Sequence, residues 1–182
     1  MSRALLVTPV DDSDHIQGPP GADLTLVEYG DYECPRCRLA HEVVRVVRHR
    51  LGSRVRYVFR NFPVVSDHPQ AELAAAAAEA AATAGRFWEM HDLLFAHQGR
   101  LAPSDLLDYA VEAGLDAEEL LAQLAFGDHT ARVRDELVHG MENGVRDTPT
   151  FFVNGVRYDG PWAPRNLVAA LLPGPETVVT SW

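Results

Sequence analysis

The chain has 182 residues, of which 47% are hydrophobic and 23% charged, enough for a sizeable core in one domain or one domain with an insertion. Asp and Glu outnumber Lys and Arg by 26 to 16, a formal charge of −10. An acidic surface argues against nucleic acid or an anionic membrane as the main partner.

No apolar run spans a membrane, because the alanine-rich stretch 71–84 carries Glu72 and Glu79. Arg3 is followed only by Ala4-Leu5-Leu6-Val7 before Pro9, too short a run for a secretory leader. The expectation is a cytoplasmic protein, or a periplasmic one if the chain is a processed form. In a reducing cytosol a structural disulfide does not persist, so a lone cysteine pair there points to catalysis or sensing.

Residues 1–23 read as a lead-in, with loop chemistry at Asp11-Asp12-Ser13-Asp14 and Gly18-Pro19-Pro20-Gly21. His15 reads as a surface residue. Leu24–Tyr29 is an apolar, β-branched run, a buried strand that Gly30 and Asp31 break. Glu28 within it is costly unless it has a partner or a use, or faces solvent at the strand end. Cys34 and Cys37 follow, at the start of an amphipathic helix reaching Leu51, with Gly52 as its C-cap. Val55–Arg60 reads as a second strand, so these elements form a right-handed β-α-β unit.

From Ser66 to Val145 the pattern is helical. The expected helices are Gln70–Ala84, Phe87–Phe95, Asp105–Ala113 capped by Ser104, and Ala117–Ala125 capped by Asp116 with Glu119 completing a capping box. A last one, capped by Asp128, reaches Val145. Phe87, Trp88 and Phe95 read as core, and His68, His91, His97, His129 and His139 as helix-surface or interface positions. Arg146 and Asp147 read as solvated loop. Thr150–Val153 and Val156–Tyr158 flank Asn154-Gly155, the signature of a type I′ hairpin. Pro164–Leu172 is the final helix and Pro173 onward a tail.

The chemistry concentrates on the cysteines. The first turn of a helix has free N–H groups and the positive end of the helix dipole, which stabilise a thiolate. Pro35 fits the first helical position, since its missing N–H had no helical partner. Arg36 stands between the sulfurs with a permanent charge, and its field is expected to acidify Cys34 further. Three readings compete: a redox dithiol, a metal site Cys34-x-x-Cys37-x-x-x-His41, and two incidental cysteines. A structural zinc wants four ligands, and no second cysteine pair supplies them. Strand, Gly-Asp break, Cys-Pro-x-Cys and amphipathic helix together favour the dithiol.

The order β-α-β, helical insert, β-β-α, with Cys34-Pro35-Arg36-Cys37 after the first strand and Thr148-Pro149 before the hairpin, resembles the thioredoxin fold. The helical insert, Val27–Pro35 and Phe87–Leu93 narrow the resemblance to DsbA-like thiol–disulfide oxidoreductases. It implies an α/β domain from 24–65 and 147–173, an inserted helical domain at 66–146, and a tail at 174–182. It also implies that Cys34 attacks, Cys37 resolves, Pro149 is cis, and Thr148 offers backbone groups to a substrate peptide. Where periplasmic relatives often carry an acidic residue, this chain has His41; it and Glu28 are the candidate proton carriers. No metal or cofactor is expected beyond a Cys34–Cys37 disulfide, and the partners are protein or small-molecule thiols and disulfides. Acidification of Cys34 by Arg36 predicts a potential above that of a thioredoxin. The alternatives are a redox-regulated chaperone or sensor and an isomerase or glutathione-transferase-like enzyme. Relatives of that last kind usually carry serine where Cys34 stands.

Overall fold

Strands β2 (Leu24–Gly30) and β3 (Val55–Asn61) lie side by side in parallel, with Leu26 opposite Tyr57 and Glu28 opposite Phe59. Helix α1 (Pro35–Leu51) makes the crossover between them. Its buried residues Cys37, Ala40, Val44 and Val47 recur at helical spacing, so one stripe of α1 covers the sheet. Gly52, at φ 54°, ends the helix as the sequence suggests. The computed structural model describes residues 4–173; the expected tail 174–182 lies outside them.

Strand β4 (Thr150–Val153) pairs antiparallel with β2 and turns through Asn154 and Gly155, both at positive φ, into β5 (Val156–Tyr158). The sheet order is completed at the other edge by β1 (His15–Gln17), antiparallel to β3, giving β1-β3-β2-β4-β5. The sequence reading assigned no strand in the lead-in; β1 lies between the two stretches of loop chemistry at 11–14 and 18–21. Three residues are too few for an alternation signal, and β1 closes an edge of β3 that would otherwise stay open. Leu5 likewise bridges to Val156 at the opposite edge.

Between β3 and β4 stand α2 (Ala71–Thr83), α3 (Phe87–Ala96), α4 (Pro103–Glu112), α5 (Ala117–Phe126) and α6 (Thr130–Glu142). Helix α7 (Pro164–Leu171) follows β5 and packs beside α1. Asp116 caps α5 as expected, with Oδ1 accepting from Glu118 N and Glu119 N. Glu119 bonds Gln123 rather than closing the box. Two caps differ from expectation. Helix α4 begins at Pro103, whose preset φ starts the helix before Ser104 can cap it, and α6 is preceded by His129 rather than Asp128.

Alternation along the strands sorts the core. Leu24, Leu26, Tyr57 and Phe59 join α1, α2 and α3 on one face, while Val27, Tyr29, Val58 and Phe152 join Val145 on the other. Glu28 has the parity of Leu24 and Leu26, so it points toward α1. The strand runs on through Gly30, which the sequence reading took as its break. A Cβ there would strike the Phe59 ring, so the close approach requires glycine.

Candidate active site

Cys34 is the residue before α1, and Pro35 occupies the first helical position. Cys34 N donates to Asp31 O at 3.2 Å, which closes the turn leading into the helix. The Cys34 thiol donates to Thr148 O at 3.5 Å across 114 residues of sequence. The Thr148–Pro149 peptide is cis, and both residues are buried. The structure therefore brings Cys34, Cys37, Thr148 and Pro149 to one place, with the two cysteines unbridged.

The two sulfurs differ in proton affinity. The hydrogen bond from Cys37 is the largest influence on Cys34 and holds its thiol down to about 5, with help from the backbone N–H groups of Cys37 and Arg36, against the opposing effect of burial. Burial is the main reason that Cys37 moves the other way, well above the usual thiol range; the Cys34 sulfur and the Glu28 charge add to it. The Arg36 guanidinium sits 3.7 Å from Asp147, and both side chains are exposed. Arg36 thus acts on the sulfur through its backbone N–H, whereas the sequence reading assigned that work to its side-chain charge.

Glu28 is buried beneath this region at 1% exposure. Its Oε2 accepts a hydrogen bond from the Tyr57 hydroxyl at 2.7 Å, and its Oε1 has no partner. Burial raises its carboxyl to about 8, with Tyr57 opposing and the Cys34 charge adding. The solvent-facing reading of Glu28 is excluded. His41 stacks on Phe95 and reaches Asp92 at 3.5 Å. Burial lowers its pKa, and the Asp92 charge partly offsets this.

Several residues that the sequence reading passed over support the site. Asp31 is buried and accepts from Glu33 N through Oδ1, and from Val64 N and His68 Nδ1 through Oδ2. Glu33 Oε2 accepts from Gln70 N at 2.6 Å. Two carboxylates thus strap the segment 64–70 to the approach to Cys34, and His68, half-buried, is paired with Asp31. Gln98 donates to the carbonyls of Tyr32 and Cys34. His91 is buried, against expectation, and its Nδ1 lies 3.0 Å from the Tyr32 hydroxyl. The one available sequence signal was the loop chemistry of Asp31, two residues before Glu33.

Among the described residues, neither cysteine belongs to a cluster of three metal-ligating side chains; His41, His91 and Asp92 form one such cluster, and His15, Glu79 and Glu136 another. The second is served by the chain's own cation. Arg132 donates to Glu79 and Glu136 and stands 3.4 Å from His15 Nε2. His15, read from sequence as a surface residue, stacks on Phe87 and contacts Glu79.

Known proteins share this fold. The family described as Thioredoxin matches residues 11–172. A thioredoxin-like oxidoreductase from Silicibacter pomeroyi is 30% identical, with a TM-score of 0.77 over 88% of this chain and 91% of that one. Oxidised BdbD from Bacillus subtilis superposes with a TM-score of 0.81 over 92% of this chain and 95% of that one, at 23% identity. MdbA, a thiol-disulfide oxidoreductase from Corynebacterium diphtheriae, gives 0.71 over 93% and 95%, at 19% identity. Curated relatives carry a different name. A Na(+)/H(+) antiporter, NhaA 3 of Salinispora tropica, is 47% identical over 168 residues, covering 92% of this chain and 26% of that protein. One from Herminiimonas arsenicoxydans is 42% identical over 168 residues, 92% of this chain and 27% of that protein. The chain spans about a quarter of the length of the curated relatives it matches. By profile, identity and superposition, it belongs to the thioredoxin family and has the DsbA-like form of that fold.

Proposed function

We propose that the chain exchanges disulfides with protein thiols through Cys34 and Cys37. The observation that carries this reading is geometric: Cys34 stands just before α1 with its sulfur 3.5 Å from the carbonyl of Thr148, beside cis Pro149, and Cys37 is fully buried in the first turn of the helix. The lowering of the Cys34 thiol to about 5 and the raising of Cys37 by burial accord with it. The Cys34 thiolate attacks a substrate disulfide; a Cys34–substrate S–S bond forms, the substrate bond breaks, and one substrate sulfur leaves as a thiolate that takes up a proton. Cys37 then gives up its proton and attacks Cys34 Sγ. The Cys34–Cys37 bond forms, the second substrate thiolate leaves, and two electrons have passed to the substrate. Run in reverse, the same steps oxidise a substrate dithiol.

Glu28 serves the Cys37 proton in this scheme. With its carboxyl near 8, it is mainly protonated at neutral pH and can supply a proton when Cys37 leaves as a thiolate. In the opposite direction its carboxylate form accepts that proton. In this scheme His41, 3.5 Å from Asp92, passes protons to solvent through it rather than acting as the primary carrier. Stabilising the Cys34 thiolate favours the dithiol form, so the protein is expected to be more oxidising than a thioredoxin. The test is the equilibrium with glutathione, where about 30 mV corresponds to 1.4 kcal/mol. A potential at or below thioredoxin's would overturn the expectation of a more oxidising protein. Loss of insulin reduction in Cys34→Ser, with partner binding retained, separates exchange from a chaperone role.

The antiporter relatives favour a second component of the proposal: a substrate or partner at a membrane transporter. The chain spans about a quarter of the length of those relatives, so antiport itself is not carried over. Cys37→Ser traps substrates as mixed disulfides at Cys34. Mass spectrometry of the trapped species from membranes holding such an antiporter checks the idea, and an absence of transporter cysteines among them rejects it.

A further inference from the structure

Gln98 lies between α3 and α4, outside every motif discussed so far. Its Nε2 donates to the Cys34 carbonyl at 2.7 Å and to the Tyr32 carbonyl at 2.9 Å. An amide nitrogen has two hydrogens, so both are committed. The Cys34 carbonyl also receives Cys37 N at 3.0 Å and Arg38 N at 3.3 Å, and is therefore the first acceptor of α1. Gln98 is itself firmly held. Arg100 N bonds His97 O, Tyr109 donates to Arg100 O at 2.9 Å, and His97 stacks on Tyr109.

These bonds fix the peptide planes on both sides of the Glu33–Cys34 step from outside the segment. Those planes aim the Cα–Cβ bond of Cys34. The sulfur is thereby kept at the start of α1, where the backbone N–H groups of Cys37 and Arg36 favour its thiolate. We propose that Gln98 is a positioning residue of the dithiol: its carboxamide, reaching from the helical insert, holds the Cys34 carbonyl and so the orientation of the attacking sulfur. The inference rests on the disulfide-exchange reading for its meaning, and on its own hydrogen bonds for its geometry. It makes the insert part of the redox machinery as well as a cover over the sheet.

The experiment compares Gln98→Met, Gln98→Lys and the parent as full chains, each checked for folding. Methionine keeps the length without donors, and lysine keeps N–H donors. The readouts are the thiolate absorbance of Cys34 against pH and the equilibrium with glutathione. In Gln98→Met the thiolate-to-thiol ratio at a given pH is expected to fall about tenfold, one pKa unit. In Gln98→Lys it stays at or above the parent's. Gln98→Ala takes the place of Gln98→Met if the latter does not fold. A purely structural residue would lower the melting temperature and leave the titration unmoved, and that result overturns the proposal. If the parent itself fails to equilibrate with glutathione while the Met variant still loses thiolate, the exchange reading fails and the positioning role stands.

Discussion

The Tyr57 hydroxyl donates to Glu28 Oε2 at 2.7 Å across neighbouring parallel strands, with both residues buried. It is the one hydrogen bond that lowers the Glu28 carboxyl, which burial otherwise drives up to about 8. Tyr57→Phe removes it and keeps the ring. The Glu28 carboxyl is then expected to titrate higher still, followed by its carbonyl infrared band.

Glu28→Leu tests the proton role against stability. Glu28 Oε1 is buried without a partner, and an unsatisfied buried polar atom costs about 1–3 kcal/mol. Because leucine alone would strand the buried Tyr57 hydroxyl, it is combined with Tyr57→Phe, and the double variant is expected to gain stability of that order in urea denaturation. Its resolving step, followed by stopped flow, should slow on the order of a hundredfold. Gained stability with an unchanged rate would remove Glu28 from the mechanism.

The Arg36 guanidinium faces Asp147 and solvent, so its deletion should matter little. Exposed pairs of this kind contribute about 0–1 kcal/mol and are screened by salt. Arg36→Ala is expected to leave the Cys34 titration within a few tenths of a pH unit, since the backbone N–H remains. A large upward move that salt abolishes would restore the side-chain field as the cause.

The sequence made the frame legible where signals were local. Asn154-Gly155 announced its hairpin, Gly52 its helix end, and the cysteines their place at a helix start. What stayed hidden depended on residues far apart in the chain. Nothing near Glu28 says that Tyr57 will meet it, and nothing near Gln98 names the Cys34 carbonyl 64 residues away. His15 and His91 look like solvated residues until the fold supplies Glu79 and Tyr32 as partners. The Ser104 cap failed for a local reason, because Pro103 competes for the same helix start.

The polar cluster that pins the insert to the sheet makes another prediction. Asn61, at the end of β3, donates from its backbone N–H to Glu136 Oε2 and from Nδ2 to Glu79 Oε1, both at 2.7 Å. Glu79→Ala strips Arg132 and Asn61 of that acceptor together. Breaking a buried pair from one side costs about 3–5 kcal/mol, and the partial exposure of Arg132 puts the expected loss near the lower end. Urea unfolding measures it, and the thiolate titration should stay close to the parent's.

The final prediction concerns pH. Cys34 falls from an ordinary 9.0 to about 5 in the folded dithiol. Between those values the unfolded chain holds one proton more than the folded one, so stability of the dithiol form rises with pH across that window. Glu28 works in the other direction. Its carboxyl rises from 4.5 to about 8 on folding, so its contribution is fully present below 4.5 and is lost as pH climbs toward 8. In the disulfide form Cys34 no longer titrates, and the Glu28 trend acts without that opposing thiol. The dithiol form should therefore gain stability over the disulfide form as pH rises from 5 to 8. The same proton count fixes the slope of the potential. Reduction takes up one proton, at Cys37, for two electrons, so the potential should fall by about 30 mV per pH unit rather than about 59. A slope near 59 mV would mean that Cys34 is protonated in the dithiol, and the acidified nucleophile would be lost with it.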